Sequence, residues 1–419
     1  MVAEQPEAVV AATNKSIKAP KKKLSSNNAI SKLTASAMAI PSISISSLGI
    51  SPIAHGAVAP EEHEVSLRLT QYREEDMPLE RVTVGSEQRY NIDILQFSLA
   101  TPLNNQKRLE TYLAYETMSG ASPLKSQQNT SEQTEVLMSG ASIEEKRLDA
   151  NITLTQFSKR STVSGGVAVS DENDYQSIAL SLDGSIENNN KHLTLIGSLS
   201  VSSDELSPTD ADSNPIRTAA VGETKNSASI YVGVNRILSQ YSTFQMGLGY
   251  TQLSGYLSDP YRITDLRPEE RGQSTLDMQY RTFSTSIAAA VHFNYRYYED
   301  DWELLAHTIE SSIWKELNFS GFKITLIPNV RYYWQHQAYF YDLDSTSTAE
   351  FQSSDFRLSA YGSFGAGLDI KFKISDTSLT LGISQYVSGE TLGLSGKQDY
   401  ETPSLVNFST LSLGLDQKF

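Results

Sequence analysis

Over the C-terminal half of this 419-residue sequence, ionisable side chains alternate with apolar ones. Asp277, Arg281, His292, Arg296, Lys323, Arg331, Arg357, Asp369, Lys371 and Lys373 fall on one face of the segments 271–282, 286–298, 321–337 and 354–374. Successive side chains of a strand point to opposite sides, so these groups share a wall whose other face is apolar. An ionised group facing hydrocarbon at mid-depth costs about 2–4 kcal/mol, so charges of both signs here require water or one another. Two readings stay open: an aqueous passage whose field orders and selects solutes, or a lattice of ion pairs that only stiffens the wall.

Other constellations carry less. Gly362-Ser363-Phe364-Gly365-Ala366-Gly367 has the glycine density of a phosphate loop, but no helix follows to supply an N-terminal anion site. Glycines beneath crowded wall side chains are the expectation. Six histidines occur without the paired spacing of a zinc site. Asp300 or Asp301 near His307 could serve a hydrolase at a rim, but a solvated acidic turn is the favoured reading. With no cysteine, thiolate metal sites, disulfides and cysteine nucleophiles are excluded. No enzyme activity, cofactor or metal is expected.

The elements that must position the charged set are strands. In 354–374 Phe356, Leu358, Ala360, Phe364, Ala366, Leu368, Ile370, Phe372 and Ile374 are even-numbered, opposite Arg357, Asp369, Lys371 and Lys373. A run of this length exceeds the roughly 5–6 residues of an ordinary sandwich strand. The pattern recurs in 321–337, in 241–254, in 190–203 and in 376–389. Sixteen such segments fit between residue 64 and the C-terminus, and an even count suits a barrel whose ends share one side of a membrane. Short turns are expected near 101–106, 158–160, 188–189, 239–240, 283–285, 319–320 and 375. Long outer loops are expected at 74–87, 119–146, 204–224, 255–270, 338–353 and 390–403. The sequence closes on Leu411, Leu413, Leu415 and Phe419 in alternation, as a final barrel strand would. Tyr295, Tyr297, Tyr298, Trp302, Tyr332, Tyr333, Trp334, Tyr339 and Tyr341 collect near strand ends, where interfacial girdles use amphipathic rings. The fold expected is an all-β, transmembrane, antiparallel up-and-down barrel in a bacterial outer membrane.

Residues 1–59 stand apart: they contain no aromatic residue, and Lys18, Lys21, Lys22, Lys23 and Lys32 precede a weakly apolar run ending in small residues. That is the order of a secretory signal, so 1–59 is read as a leader and 60–419 as the barrel. The net charge of −15 disfavours nucleic acid, whose phosphates a negative surface repels. Outer-membrane lipid, lipopolysaccharide and the barrel assembly machinery are the expected partners. The leading function is a passage for small polar solutes. The alternative is a scaffold around a periplasmic or secreted protein, and a rim-located hydrolase is third.

Three stretches in order carry a likeness: Gly255 to Tyr261, Tyr295 to Trp302, and Pro328 through Arg331-Tyr332-Tyr333 to Tyr341. With them the sequence resembles the bacterial family known as domain of unknown function 3570. The resemblance implies an outer-membrane protein of undetermined activity and supplies no catalytic residues.

Overall fold

A computed structural model describes residues 61–419, apart from 130, 141–142, 209–210, 344–348 and 395–400. The expected leader, 1–59, lies outside the described residues. Sixteen antiparallel strands close into one barrel. They are β1 (Glu64–Glu74), β3 (Asn91–Asn104), β4 (Lys107–Gly120), β7 (Ile143–Phe157), β8 (Ser161–Glu172), β9 (Tyr175–Glu187), β10 (Leu193–Leu206) and β11 (Thr224–Ser239). The circuit continues with β12 (Ser242–Gly255), β13 (Glu270–Ser284), β14 (Ala289–Asp300), β15 (Leu305–Phe319), β16 (Phe322–Gln335), β17 (Tyr361–Ile374), β18 (Thr377–Gly389) and β19 (Phe408–Lys418). Three short strands, β2 (Val82–Val84), β5 (Pro123–Gln128) and β6 (Thr134–Met138), make a separate sheet in the order β2-β6-β5.

Closure joins β1 to β19 from Glu64 opposite Lys418 to Glu74 opposite Phe408. Beyond that register His63 and Phe419 exchange backbone hydrogen bonds of 2.9 and 3.1 Å, and their rings stack at 5.4 Å. The closing strand expected at the C-terminus is therefore present, with Phe419 as its last rung. Without an edge, no backbone donor or acceptor of the wall is left to hydrocarbon, which contains nothing to bond it.

The alternation places Leu67, Leu69, Leu180, Leu182, Leu248, Phe293, Val330, Phe364, Leu381 and Leu413 on the outer surface, each exposed. An apolar belt of this kind around a closed sheet is stable in lipid and not in water. Turns at 105–106, 158–160, 188–192, 240–241, 285–288, 320–321 and 375–376 join strands at one end. Gly321, at φ +92°, sits where the chain reverses between the stacked rings of Phe319 and Phe322. The segments at the other end are mostly long: 75–90, 121–142, 207–223, 256–269, 336–360 and 390–407. That end is the outer one by the rule that barrels keep short turns toward the periplasm.

One expected strand is shorter than its alternation. The run 354–374 becomes a tight 3-10 turn, Phe356–Leu358, followed by β17 from Tyr361. Phe356 and Leu358 share the parity of the lipid-facing residues but are buried, at 6% and 4% exposure. Period-two spacing continued through the turn by chance of composition, and the buried Asp355 caps the turn by accepting from the Arg357 backbone N–H at 3.1 Å. The segment 121–142, in which the sequence offers no recognisable motif, holds β5 and β6.

Candidate functional site: the inner wall and the loop-filled mouth

The inward face differs around the circuit. On β8 to β12 it is built of small and hydroxylic residues, among them Ser164, Gly166, Ala168, Ser177, Ser181, Ser198, Ser200, Ser202, Ser227, Ser229, Gly247 and Gly249. Hydroxyls pair across neighbouring strands: Thr155 with Ser164 at 2.9 Å, Thr162 with Ser185 at 2.7 Å, Ser202 with Ser227 at 2.7 Å and Ser229 with Thr251 at 2.9 Å. Such pairs satisfy each other in the sheet and leave lone pairs for water. The Tyr231 ring lies across Gly247, where a Cβ would collide with it.

Across the barrel the outer halves of the strands are sealed. Tyr72 of β1, Ile92 and Ile94 of β3, Tyr386 of β18 and Phe408 of β19 point inward and form one buried cluster with Tyr90, Val406 and Phe356. Phe356 belongs to the loop 336–360, so that loop reaches into the barrel. Gly362, on the outward parity of β17, leaves room for the Leu392 backbone, which a Cβ would strike and whose carbonyl accepts the outward-facing Tyr332 hydroxyl at 2.6 Å. Of the 362–367 glycines expected beneath crowded wall side chains, Gly367 lies close under Asn329, whereas Gly365 has only ordinary contacts.

The inserted loops are tied together by charge. Asp355 receives Arg357 Nε at 2.8 Å, Arg267 Nη2 at 2.8 Å and Arg262 Nη2 at 3.2 Å. Asp265 accepts Arg267 Nε at 2.8 Å and the Ser353 hydroxyl at 2.5 Å, and Asp259 accepts Arg357 at 3.0 Å. Arg262, Arg267 and the three aspartates are buried. Burial alone would raise the Asp355 carboxyl, but Arg262, Arg357 and Arg267 hold it well below the usual carboxylate range. A second buried pair, Arg89 with Glu74 at 2.8 Å, fastens the loop 75–90 to β1, and Arg89 also donates to the Ser404 carbonyl at 2.9 Å. Ser126 of β5 meets the Ser404 hydroxyl at 3.0 Å, and Tyr261 donates to Asp174 at 2.5 Å. The loops 75–90, 121–142, 256–269, 336–360 and 390–407 thus form one connected body in the outer mouth.

The ten residues singled out from the sequence divide accordingly. Arg357 is corrected: it is not on the wall, because the strand begins at Tyr361, and it belongs to the Asp355 cluster. The other nine lie on strands with inward parity. Arg296 pairs with Asp277 at 2.7 Å, Lys323 with Glu316 at 3.1 Å, Arg331 with Glu310 at 3.2 Å and Lys371 with Asp416 at 3.1 Å. Arg281 reaches the Gln279 amide at 3.4 Å, and His292 packs on Trp314 at 5.4 Å between centroids. Asp369 lies beside Arg68, and Lys373 is exposed near the periplasmic turn. Ion pairing therefore accounts for much of the charged wall, yet Arg296 stays 57% exposed within its pair.

The aromatic set also divides. Tyr332 and Trp334 face outward with their rings 5.3 Å apart, and His307 stacks on Trp334 at 4.5 Å and meets the Tyr295 hydroxyl at 2.9 Å. Tyr333 and Tyr341 are buried in a cluster with Trp302, so these three are not girdle residues. Asp300 turns inward to Arg271 at 2.5 Å and accepts from the backbone of Trp302 and Leu304. Facing opposite sides of the sheet, Asp300 and His307 form no acid–base pair.

Sequence reasoning missed the acids and bases of the mouth. The spacing of Asp259, Arg262, Asp265 and Arg267, alternating in sign within an outer loop, was the available signal. It could not show that Asp355 would be brought to the same point.

The sequence matches the model of a family described as a protein of unknown function, DUF3570, over residues 30–399. The chain belongs to the DUF3570 family. No curated protein matches the sequence of this DUF3570 member. Among solved structures, a bacterial polysaccharide outer membrane secretin aligns at 12% identity and TM-score 0.48, covering 86% of this chain and 99% of that one. CdiB from Acinetobacter baumannii aligns at 8% identity and TM-score 0.49, and 86% of this chain spans 60% of that longer protein. OccK3 (OpdO) from Pseudomonas aeruginosa gives 9% identity and TM-score 0.39, covering 85% of this chain and 95% of that one. The closed sixteen-strand wall with its apolar belt places this DUF3570 protein in the bacterial outer membrane.

Proposed function

We propose that the protein is a channel for small polar solutes, with a wet route along β8 to β12 and an outer mouth narrowed by its own loops. The observation that carries this reading is the asymmetry of the interior. Loops and aromatic side chains fill the outer lumen against β1, β3 and β16 to β19, whereas small hydroxylic residues on β8 to β12 remain partly accessible. A sixteen-strand barrel is wide enough for an aqueous passage unless it is plugged, and here the plug leans on one side. Serines and threonines suit such a route because they bond water and solute alike without a charge to trap either.

Conductance of the purified full-length protein in planar bilayers tests the proposal. Discrete open-channel steps are expected. A correctly folded barrel that stays silent would overturn it, and a protein co-purifying with that silent barrel would move the reading to a scaffold.

A further inference from the structure

Opposite walls of the barrel differ in charge. In the closed order of strands β14 stands across from β4, β15 from β7, β16 from β8 and β17 from β9. On the first wall Glu116 of β4, Asp149 of β7 and Glu172 of β8 point inward around Arg147, at 3.5, 2.8 and 3.8 Å. One guanidinium thus faces three carboxylates. Asp183 of β9 adds a further carboxylate, which accepts the Ser198 hydroxyl at 2.6 Å.

The facing wall lacks that excess of carboxylate: its acids and bases nearly balance, with Arg331 matched by Glu310 and Asp369 also turned inward. Each of Arg296, Lys323 and Lys371 has a single carboxylate at 2.7–3.1 Å, and Arg281 and Lys373 add further inward cations with exposed side chains. The two sets match in height: Arg296 and Glu116 lie in the outer halves of their strands, Lys371 and Asp183 in the periplasmic halves. Between such walls the field runs across the lumen. A molecule with an ammonium at one end and a carboxylate at the other lowers its energy by lying along that field. A neutral molecule of equal size gains little, and a simple ion is attracted by one wall while the other repels it.

We propose that this separation of charge makes zwitterionic small molecules, of the amino-acid class, the preferred solutes of the channel; the inference rests on the channel reading above. The test is swelling of proteoliposomes carrying the purified full chain. β-Alanine and lactamide are isomers, one zwitterionic and one neutral, so sieving by size cannot separate them. β-Alanine is expected to enter about tenfold faster, the lower end of what focused fields achieve. The ratio should fall toward one in Arg281→Gln/Lys373→Gln, which removes exposed cations, and in Asp183→Asn, which removes a facing anion. Equal entry of both isomers into wild-type vesicles would overturn the inference and leave the channel standing. Entry of neither would overturn both. A ratio unchanged in both variants would also overturn the inference, because the walls named here would not set it; lactamide entry shows that the variants have inserted.

Discussion

The serine-rich wall of β8 to β12 and the sealed wall of β16 to β19 with β1 and β3 have the same outward face and differ inside, at their outer halves. Outside, both are leucine, valine, isoleucine and phenylalanine, because lipid demands the same of every strand. Inside, both carry hydroxyls and glycine toward the periplasm, Ser384 pairing with Thr410 at 2.6 Å on the second wall, but the outer half of that second wall carries tyrosine, phenylalanine and amides buried under loops. The lesson is that the lipid fixes half of each strand and leaves the other half to function. A barrel of uniform exterior can hold a filled region and a wet one side by side.

The comparison can be broken most sharply at Asp355. Asp355→Asn leaves three arginines around a neutral side chain in a buried site, and losing one partner of such a network costs about 3–5 kcal/mol. The expected outcome is loops 256–269 and 336–360 open to protease in intact cells, with larger conductance steps, while the barrel stays folded. Protection and conductance equal to wild type would show that the cluster does not hold the mouth. The same residue gives a pH dependence. A carboxyl depressed in the folded state contributes stability above its unfolded value and loses it as pH falls through the folded one. Since Asp355 is held well below the usual range, the mouth should stay closed at about pH 5 and loosen only below about pH 4. Opening at mildly acidic pH would contradict this.

Leu368→Arg tests the shared outer face. It places a charge near the middle of β17 toward lipid and should cost about 2–4 kcal/mol, read as a lower urea midpoint in vesicles. A well-tolerated Leu368→Arg would overturn the assignment of faces. Deleting Phe419 removes the last rung against His63 and is expected to slow insertion, measured as periplasmic degradation. On the wet wall, Ser200→Ala is expected to change stability by less than about 0.5 kcal/mol, since an accessible hydroxyl gives up little that water does not replace. A loss as large as that at Leu368 would mean that this wall is as tightly packed as the other.

Much of this was readable in residues. The outward parity of 321–337 and of 361–374, the sixteen strands and the short turns follow from alternation and from Phe419, because lipid on one side enforces a strict period of two. Nine of the ten inward charges were also legible, since register fixes the face once a strand is known. Alternation could not tell where β17 begins: Phe356 and Leu358 kept the period while leaving the sheet, so Arg357 was assigned to a wall it does not occupy. Nor could it pair Asp355 with Arg262 and Arg267, or set Asp183 across from Lys371. Those meetings depend on which strands closure brings opposite one another and on loops folding back into the lumen. Sequence spacing carries a strand's own two faces, and only the closed barrel decides what each inner face confronts.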